Sequence, residues 1–268
     1  MIYLAEECKI LEKKAKELEI ENVDEAIKVY KQAAECYIKN DKPKNRNSCL
    51  EKAAKLIREN AKSIEDPVEA LEIFKSASEV YNQISKQAES EKVMNEANKK
   101  LISSAKNLKA EAKKIEDPEF AELQFAKASD YASQGKDDEL SKACWNDSGD
   151  QFRKKATEIE DPREALEEFK HAIENYTKGA SEELKNKALI EAADKFSKKG
   201  NDVEKSKKNL ILAIDSYLQA ATLYKAANLD EKADDLTNRI NDLCEFIGMP
   251  LKEITKYLNS QNITAISI

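Results

Sequence analysis

Apolar residues recur along this chain at helical spacing, and the spacing itself recurs. Ala70, Phe74, Ala77 and Tyr81 stand at offsets of 0, +4, +7 and +11, which trace one stripe of an α-helix. The stripe returns as Ala26, Tyr30, Ala33, Tyr37, as Ala165, Phe169, Ala172, Tyr176, and as Ala213, Tyr217, Ala220, Tyr224. A further copy reads Ala121, Phe125, Ala128, with Ala132 in the last slot beside Tyr131. Small residues let a neighbouring helix approach, and the aromatics fill the spaces left between.

The residues ahead of each stripe predict where its helix begins. Asp66 is placed to be an N-cap, Pro67 suits the first helical position because it has no donor to leave orphaned, and Glu69 completes a capping box. Asp161, Pro162 and Glu164 repeat the device, Asp117-Pro118 varies it, and Asn22 with Glu25 offers the box without proline.

A second helix is expected after each first one. Small pairs follow the leading alanine at a constant distance: Ala53-Ala54, Ala97-Asn98, Ser148-Gly149 and Ala192-Ala193, each with an apolar residue four later at Ile57, Leu101, Phe152 and Phe196. Turn signals lie between, at Asn40-Asp41-Lys42-Pro43, Gln134-Gly135-Lys136 and Lys178-Gly179. The unit is an antiparallel helical hairpin, and the leading alanines of five copies are 44, 51, 44 and 48 residues apart. The seven additional residues in the long interval make nearly two helical turns, so they lengthen a second helix by ~10 Å while keeping its face.

The expected fold is all-α: a right-handed solenoid of about five antiparallel hairpins, tetratricopeptide-like in plan. Leu4, Cys8, Leu11, Ala15 and Leu18 form a one-sided stripe on an N-terminal capping helix, and Leu18 to Asn22 reads as a short polar link. Gly248-Met249-Pro250 breaks the chain before a short C-terminal helix carrying Leu251, Ile254 and Leu258. Residues 1–247 are thus the repeat domain, and 248–268 a capping helix with a loosely held tail.

Composition agrees with this and adds little about function. Five Gly and five Pro in 268 residues are too few for a sandwich, barrel or Rossmann sheet. A net charge of −7 argues against nucleic acid, and the charges are mixed rather than blocked. No apolar run is long enough to span a membrane, and Met1 to Glu7 has neither the basic leader nor the apolar stretch of a signal peptide. Cys8, Cys36, Cys49, Cys144 and Cys244 are an odd set without a C-x-x-C pair, read as small buried side chains in a reducing, cytoplasmic setting rather than as a disulfide frame or zinc site.

Catalytic chemistry is not announced. His171 is the single histidine, between Phe169 and Ala172, with no nucleophile motif beside it. No phosphate loop, zinc helix or EF-hand loop occurs. Glu182-Glu183 and Asp234-Asp235 diverge by about 100° on a helix, which does not suit shared coordination of a metal. Trp145 reads as packing. The chain is expected to be a non-enzyme without cofactor or metal.

The stretches Glu25-Ala26 through Tyr30 to Ala33-Ala34, 66–81 and 161–176, with Asn186 to Leu189 opening a second helix, resemble the SNAP proteins, the attachment proteins that couple SNARE complexes to the ATPase NSF. The period of 44 is longer than the ~34 of ordinary tetratricopeptide repeats. The resemblance implies an adaptor, monomeric and at most peripherally membrane-associated, that binds a helical or coiled-coil SNARE-like bundle in vesicle trafficking and recruits an NSF-like AAA ATPase to disassemble it. In that family basic residues near the starts of second helices face the bundle. Matched phrase by phrase, they fall on Lys86, Lys92, Lys142 and Lys187. Two departures stand out. SNAPs carry a Phe/Gly-rich membrane-touching loop where this chain has Leu18 to Asn22, and an acidic ATPase-stimulating tail where it has the uncharged Thr264 to Ile268. The alternative reading is a generic scaffold that holds a peptide or protein in its groove.

Overall fold

The computed structural model describes residues 2–260, with side chains from residue 6 onward. Among these residues the chain forms helices and no strand: α1 (Ile2–Glu21), α2 (Val23–Lys39), α3 (Pro43–Ser63), α4 (Pro67–Gln83), α5 (Gln87–Ala112), α6 (Pro118–Gln134), α7 (Asp138–Glu158), α8 (Pro162–Lys178), α9 (Glu182–Ser206), α10 (Leu210–Ala226), α11 (Asp230–Ile247) and α12 (Leu251–Ser260). The five expected hairpins are α2/α3, α4/α5, α6/α7, α8/α9 and α10/α11.

The starts are where the caps put them. One Asp66 carboxylate oxygen accepts from the Val68 and Glu69 amides, both at 2.9 Å. Asp161 does the same for Arg163 and Glu164, and Asn22 accepts from Glu25 at 3.1 Å. Asn209 caps α10 through Leu212. The link expected over Leu18–Asn22 is shorter than that: α1 runs helical to Glu21, and Asn22 alone separates it from α2. The Asn22 amide still donates to the Leu18 carbonyl at 2.8 Å, so a single cap residue turns the chain.

The chain divides into two compact units, residues 1–108 with 130–140 and residues 109–129 with 141–268. In the first, α1 packs on α2, α2 on α3 and α3 on α4. In the second, α8 packs on α9, α9 on α10, α10 on α11, and α12 lies against α11. Every stripe residue is buried: Ala70, Phe74, Ala77 and Tyr81, and their counterparts in the other four copies. So are the small residues that open the second helices' faces, Ala53, Ala97, Ser148 and Ala192, and the apolar residues four later. Burying about 25 cal/mol for each Å² of apolar surface makes these seams the main source of stability.

The variable interval is absorbed by second helices. α3 and α7 each have 21 residues, whereas α5 has 26 and α9 has 25. Ala105 and Ala112, seven apart, are both fully buried, so the lengthened α5 keeps its face inward.

Each hairpin turn has one residue in the left-handed region, and none of them is glycine. Asp41, Ser85, Lys136, Ala180 and Asn228 have φ between 51° and 63°. Just beyond, the amides of Lys42, Lys86, Asp137, Ser181 and Leu229 each donate at 2.9 Å to the carbonyl of the stripe's last residue. That is the closing bond of a Schellman-type helix end. The glycines read as turn signals sit one residue earlier, and space explains them. A Cβ at Gly135 would be 2.9 Å from Ile102 Cγ1; one at Gly179 would be 2.1 Å from Asn146 Oδ1 and 3.0 Å from the Lys142 carbonyl. Gly179→Ala should therefore destabilise by about 1–3 kcal/mol. Ala180→Gly, which removes a left-handed alanine, should stabilise by about 0.5–1 kcal/mol. Denaturant midpoints of the two variants should move in opposite directions; movement in the same direction would contradict this account.

Candidate protein-binding surface

The proposed contact lysines lie at or near the starts of second helices, in different local settings. Lys92 of α5 and Lys187 of α9 are exposed and occupy the same register position, five residues ahead of Ala97 and Ala192. Lys142 of α7 is also exposed but stands six ahead of Ser148, which turns it by about 100° from that position. Ser48 and Ala143 fill the matching place in α3 and α7. Lys86 precedes α5 in the turn and pairs with Glu51 of α3 at 2.7 Å. The hydrogen bond from Lys86 holds the Glu51 carboxyl below its ordinary range, helped by Lys55.

A different set of basic residues ties successive second helices together. Arg58 of α3 grips Glu96 of α5 with its guanidinium, Nε donating at 2.7 Å. Arg153 of α7 reaches Glu191 of α9 at 3.0 Å, and Arg239 of α11 binds Glu204 of α9. Between α5 and α7, Asp147 pairs with Lys109 and, at the same 2.9 Å, with Lys113 just past the end of α5. Lys109 stands seven beyond the position matching Arg58, so the inserted turns carry the cation along. A parallel tie comes from side chains three residues after the first member of the small pair. Lys100 donates to the carbonyls of Lys62 (2.9 Å) and Ile64, Lys195 to those of Thr157 (3.0 Å) and Ile159, and Gln151 to that of Ala112 (3.2 Å). Each satisfies carbonyls that the end of the preceding second helix leaves open. These cations serve the fold, whereas Lys92 and Lys187 are turned to solvent. Sequence reasoning did not single out the ties; their signal is a repeated separation of 35–39 residues.

Tyrosines of first helices are anchored by carboxylates on neighbouring helices. Tyr37 donates to Glu12 at 3.0 Å and Tyr176 to Asp150 at 2.8 Å, while Tyr30 and Tyr224 bond Glu19 and Asp194. Burial, then the carboxylate partner, pushes the Tyr37 hydroxyl up to about 12 and the others higher still.

In the first unit a groove of about 340 Å³ runs between α2 and α4. Buried Ala34, Leu50 and Val80 form its floor, with Ile38 above them 55% exposed. Lys31 and Arg46 face it together with Glu35 and Glu79, so its rim carries both signs. His171 is exposed and stacks on Phe152 with ring centroids 4.9 Å apart. Trp145 lies under the Lys178 ammonium at 4.6 Å.

The cysteines require a correction. Cys8 and Cys36 are joined by a disulfide across 28 residues, their Cα atoms 5.5 Å apart. The pairing joins facing positions of α1 and α2, which no short Cys spacing would signal. Cys49, Cys144 and Cys244 are buried and outside any disulfide, and burial pushes the Cys49 thiol up to about 11. Among the described residues no cluster of three His, Cys, Asp or Glu is placed to hold a metal, and no helix is long and apolar enough to cross a membrane. The tail Thr264 to Ile268 lies outside the described residues.

Comparison of the sequence with models of known families and with curated proteins finds no match. The fold itself defines the class: this is an all-α protein built of repeated helical hairpins.

Proposed function

We propose that the chain is a non-enzymatic, SNAP-like adaptor that binds a helical or coiled-coil protein assembly through lysines near the starts of its second helices. The observation that carries this is the recurrence of an exposed lysine, Lys92 and Lys187, at one register position in hairpins two and four, while the neighbouring cations are taken up by the fold. An acidic rod-shaped partner such as a SNARE-like bundle offers the complementary charge, and electrostatic complementarity of this kind governs approach and register. Disassembly by an NSF-like ATPase in vesicle trafficking belongs to the same proposal, resting on the resemblance alone.

The test is binding of an assembled acidic four-helix bundle at several salt concentrations. Lys92→Glu with Lys187→Glu should weaken binding at least about tenfold and flatten its salt dependence, with helicity unchanged. Lys142→Glu adds to the loss; Lys86→Gln is the milder choice at a site facing Glu51. Unchanged affinity in the double variant would refute the lysine face. A second reading is favoured by the α2/α4 groove: a scaffold holding an extended peptide over Ile38. It gains if short disordered fragments bind, the bundle does not, and Ile38→Asp abolishes the fragment signal.

A further inference from the structure

The outward positions of the first helices are charged in hairpins one, two and four and both apolar in hairpin three. One residue before the leading alanine and two after it, hairpins one, two and four carry Glu25 and Lys28, Glu69 and Glu72, Glu164 and Glu167. Hairpin five has Leu212 and Asp215, the latter buried against Arg163 at 2.5 Å. In hairpin three the pair is Phe120 and Leu123, 66% and 67% exposed, on the face of α6 turned away from buried Ala121 and Phe125. Glu is thus tolerated at these positions, and the fold does not require an apolar residue there.

Between Lys113-Lys114 and Lys127, the charge around the pair is acidic. From Ile115 to Ala126 the chain has four acidic residues, Glu116, Asp117, Glu119 and Glu122, and no basic one. The first three are exposed. Glu122 is half-buried with the Lys178 ammonium 4.0 Å away, and exposed Lys127 follows Leu123 one turn along the same outward face. Opposite the α6 start, Lys155 of α7 bonds Glu168 at 2.7 Å; that bond raises its pKa, and Glu119 and Asp117 add to the rise.

We propose that the Phe120–Leu123 face of α6 is a docking site for a basic amphipathic segment: apolar side chains that cover Phe120 and Leu123, flanked by lysine or arginine that meet the surrounding carboxylates. Two large apolar groups held two-thirds in water amid like charge gain most from a partner that removes the first from solvent and neutralises the second. An amphipathic helix lying in this way is an established mode of recognition. The site is independent of the lysine face, which takes a partner of opposite charge.

The experiment uses the full chain and a fluorescein-labelled helical peptide with leucines on one face and lysines on its flanks, followed by anisotropy. A second peptide keeps the leucines and carries glutamates for lysines. The lysine peptide should bind and the glutamate peptide should not. Phe120→Ser with Leu123→Ser, which leaves net charge unchanged, should weaken binding at least about tenfold. Phe120→Glu with Leu123→Glu restores the side chains of hairpins two and four, and should abolish binding while retaining the melting midpoint. Equal binding by the serine variant would show attraction to net charge only and overturn the proposal. So would binding of the glutamate peptide, or of neither peptide. Concentration-dependent dimerisation of the wild type that the serine variant loses would assign the face to a second copy of the chain instead.

Discussion

Phe169→Ala is expected to destabilise the protein by about 3–5 kcal/mol. Phe169 is fully buried in α8 between Ala165 and Ala172, in one cluster with Phe152 of α7 and Phe196 of α9. Its neighbours in the stripe are alanines, too small to collapse into the space a lost ring would leave, so most of the cavity should persist. Against a total stability of about 5–15 kcal/mol this is a large fraction. The single tryptophan makes the measurement local, because Trp145 lies on α7 in the same unit. Its fluorescence during denaturant unfolding should shift to a lower midpoint. Phe120→Ala, in the same unit but two-thirds exposed, should stay within about 0.5 kcal/mol of wild type. Similar shifts for both phenylalanines would mean that the stripes are not the seams between helices.

The parts of the fold that sequence exposed are those where one residue type has one physical job. An aspartate before a proline at a helix start satisfies orphaned amides, and Asp66 and Asp161 do so. A small/aromatic alternation at offsets of four and three must face a neighbour, and all five stripes do. Legibility fell where a residue has two possible jobs. Gly135 and Gly179 read as turn formers, yet the left-handed conformation falls on Lys136 and Ala180, and the glycines are there for close approach. Leu18 to Asn22 read as a link because the run is polar on balance, yet α1 continues through Glu21 with Ile20 94% exposed, and Asn22 alone makes the turn. The lysines were legible as a register but not by partner. Nothing in the string shows that Lys86, exposed like Lys187, meets Glu51 across 35 positions. Which carboxylate a flexible cation finds depends on how helices lie beside each other, and that information is not local. The candidate surface could be placed on helix starts from sequence; sorting its cations between fold and solvent needed the packing.

The same limit hid the Cys8–Cys36 bond, and its energetic consequence is the second large effect. Closing a loop across 28 residues removes conformational freedom from the unfolded chain, a contribution of about 3–4 kcal/mol in the chain-entropy account. Without a reductant, thiol titration of the denatured protein should find the three cysteines outside the bond; five reactive thiols would show that the bond does not form. With a dithiol reductant the free energy of unfolding should fall by that amount, and the midpoint with it. Cys36→Ser should match the reduced wild type and be insensitive to the reductant. Cys36 is the better site to change because it is only half-buried, whereas Cys8 is fully buried and a hydroxyl there would add its own penalty. The reduced protein should nonetheless keep α1 in place. Leu11 and Leu18 still pack on the core, and Tyr30 and Tyr37 still donate to Glu19 and Glu12. In a reducing compartment the expected state is therefore a dithiol with α1 docked by packing and tyrosine–carboxylate bonds alone, its helix the first to separate from α2 on heating.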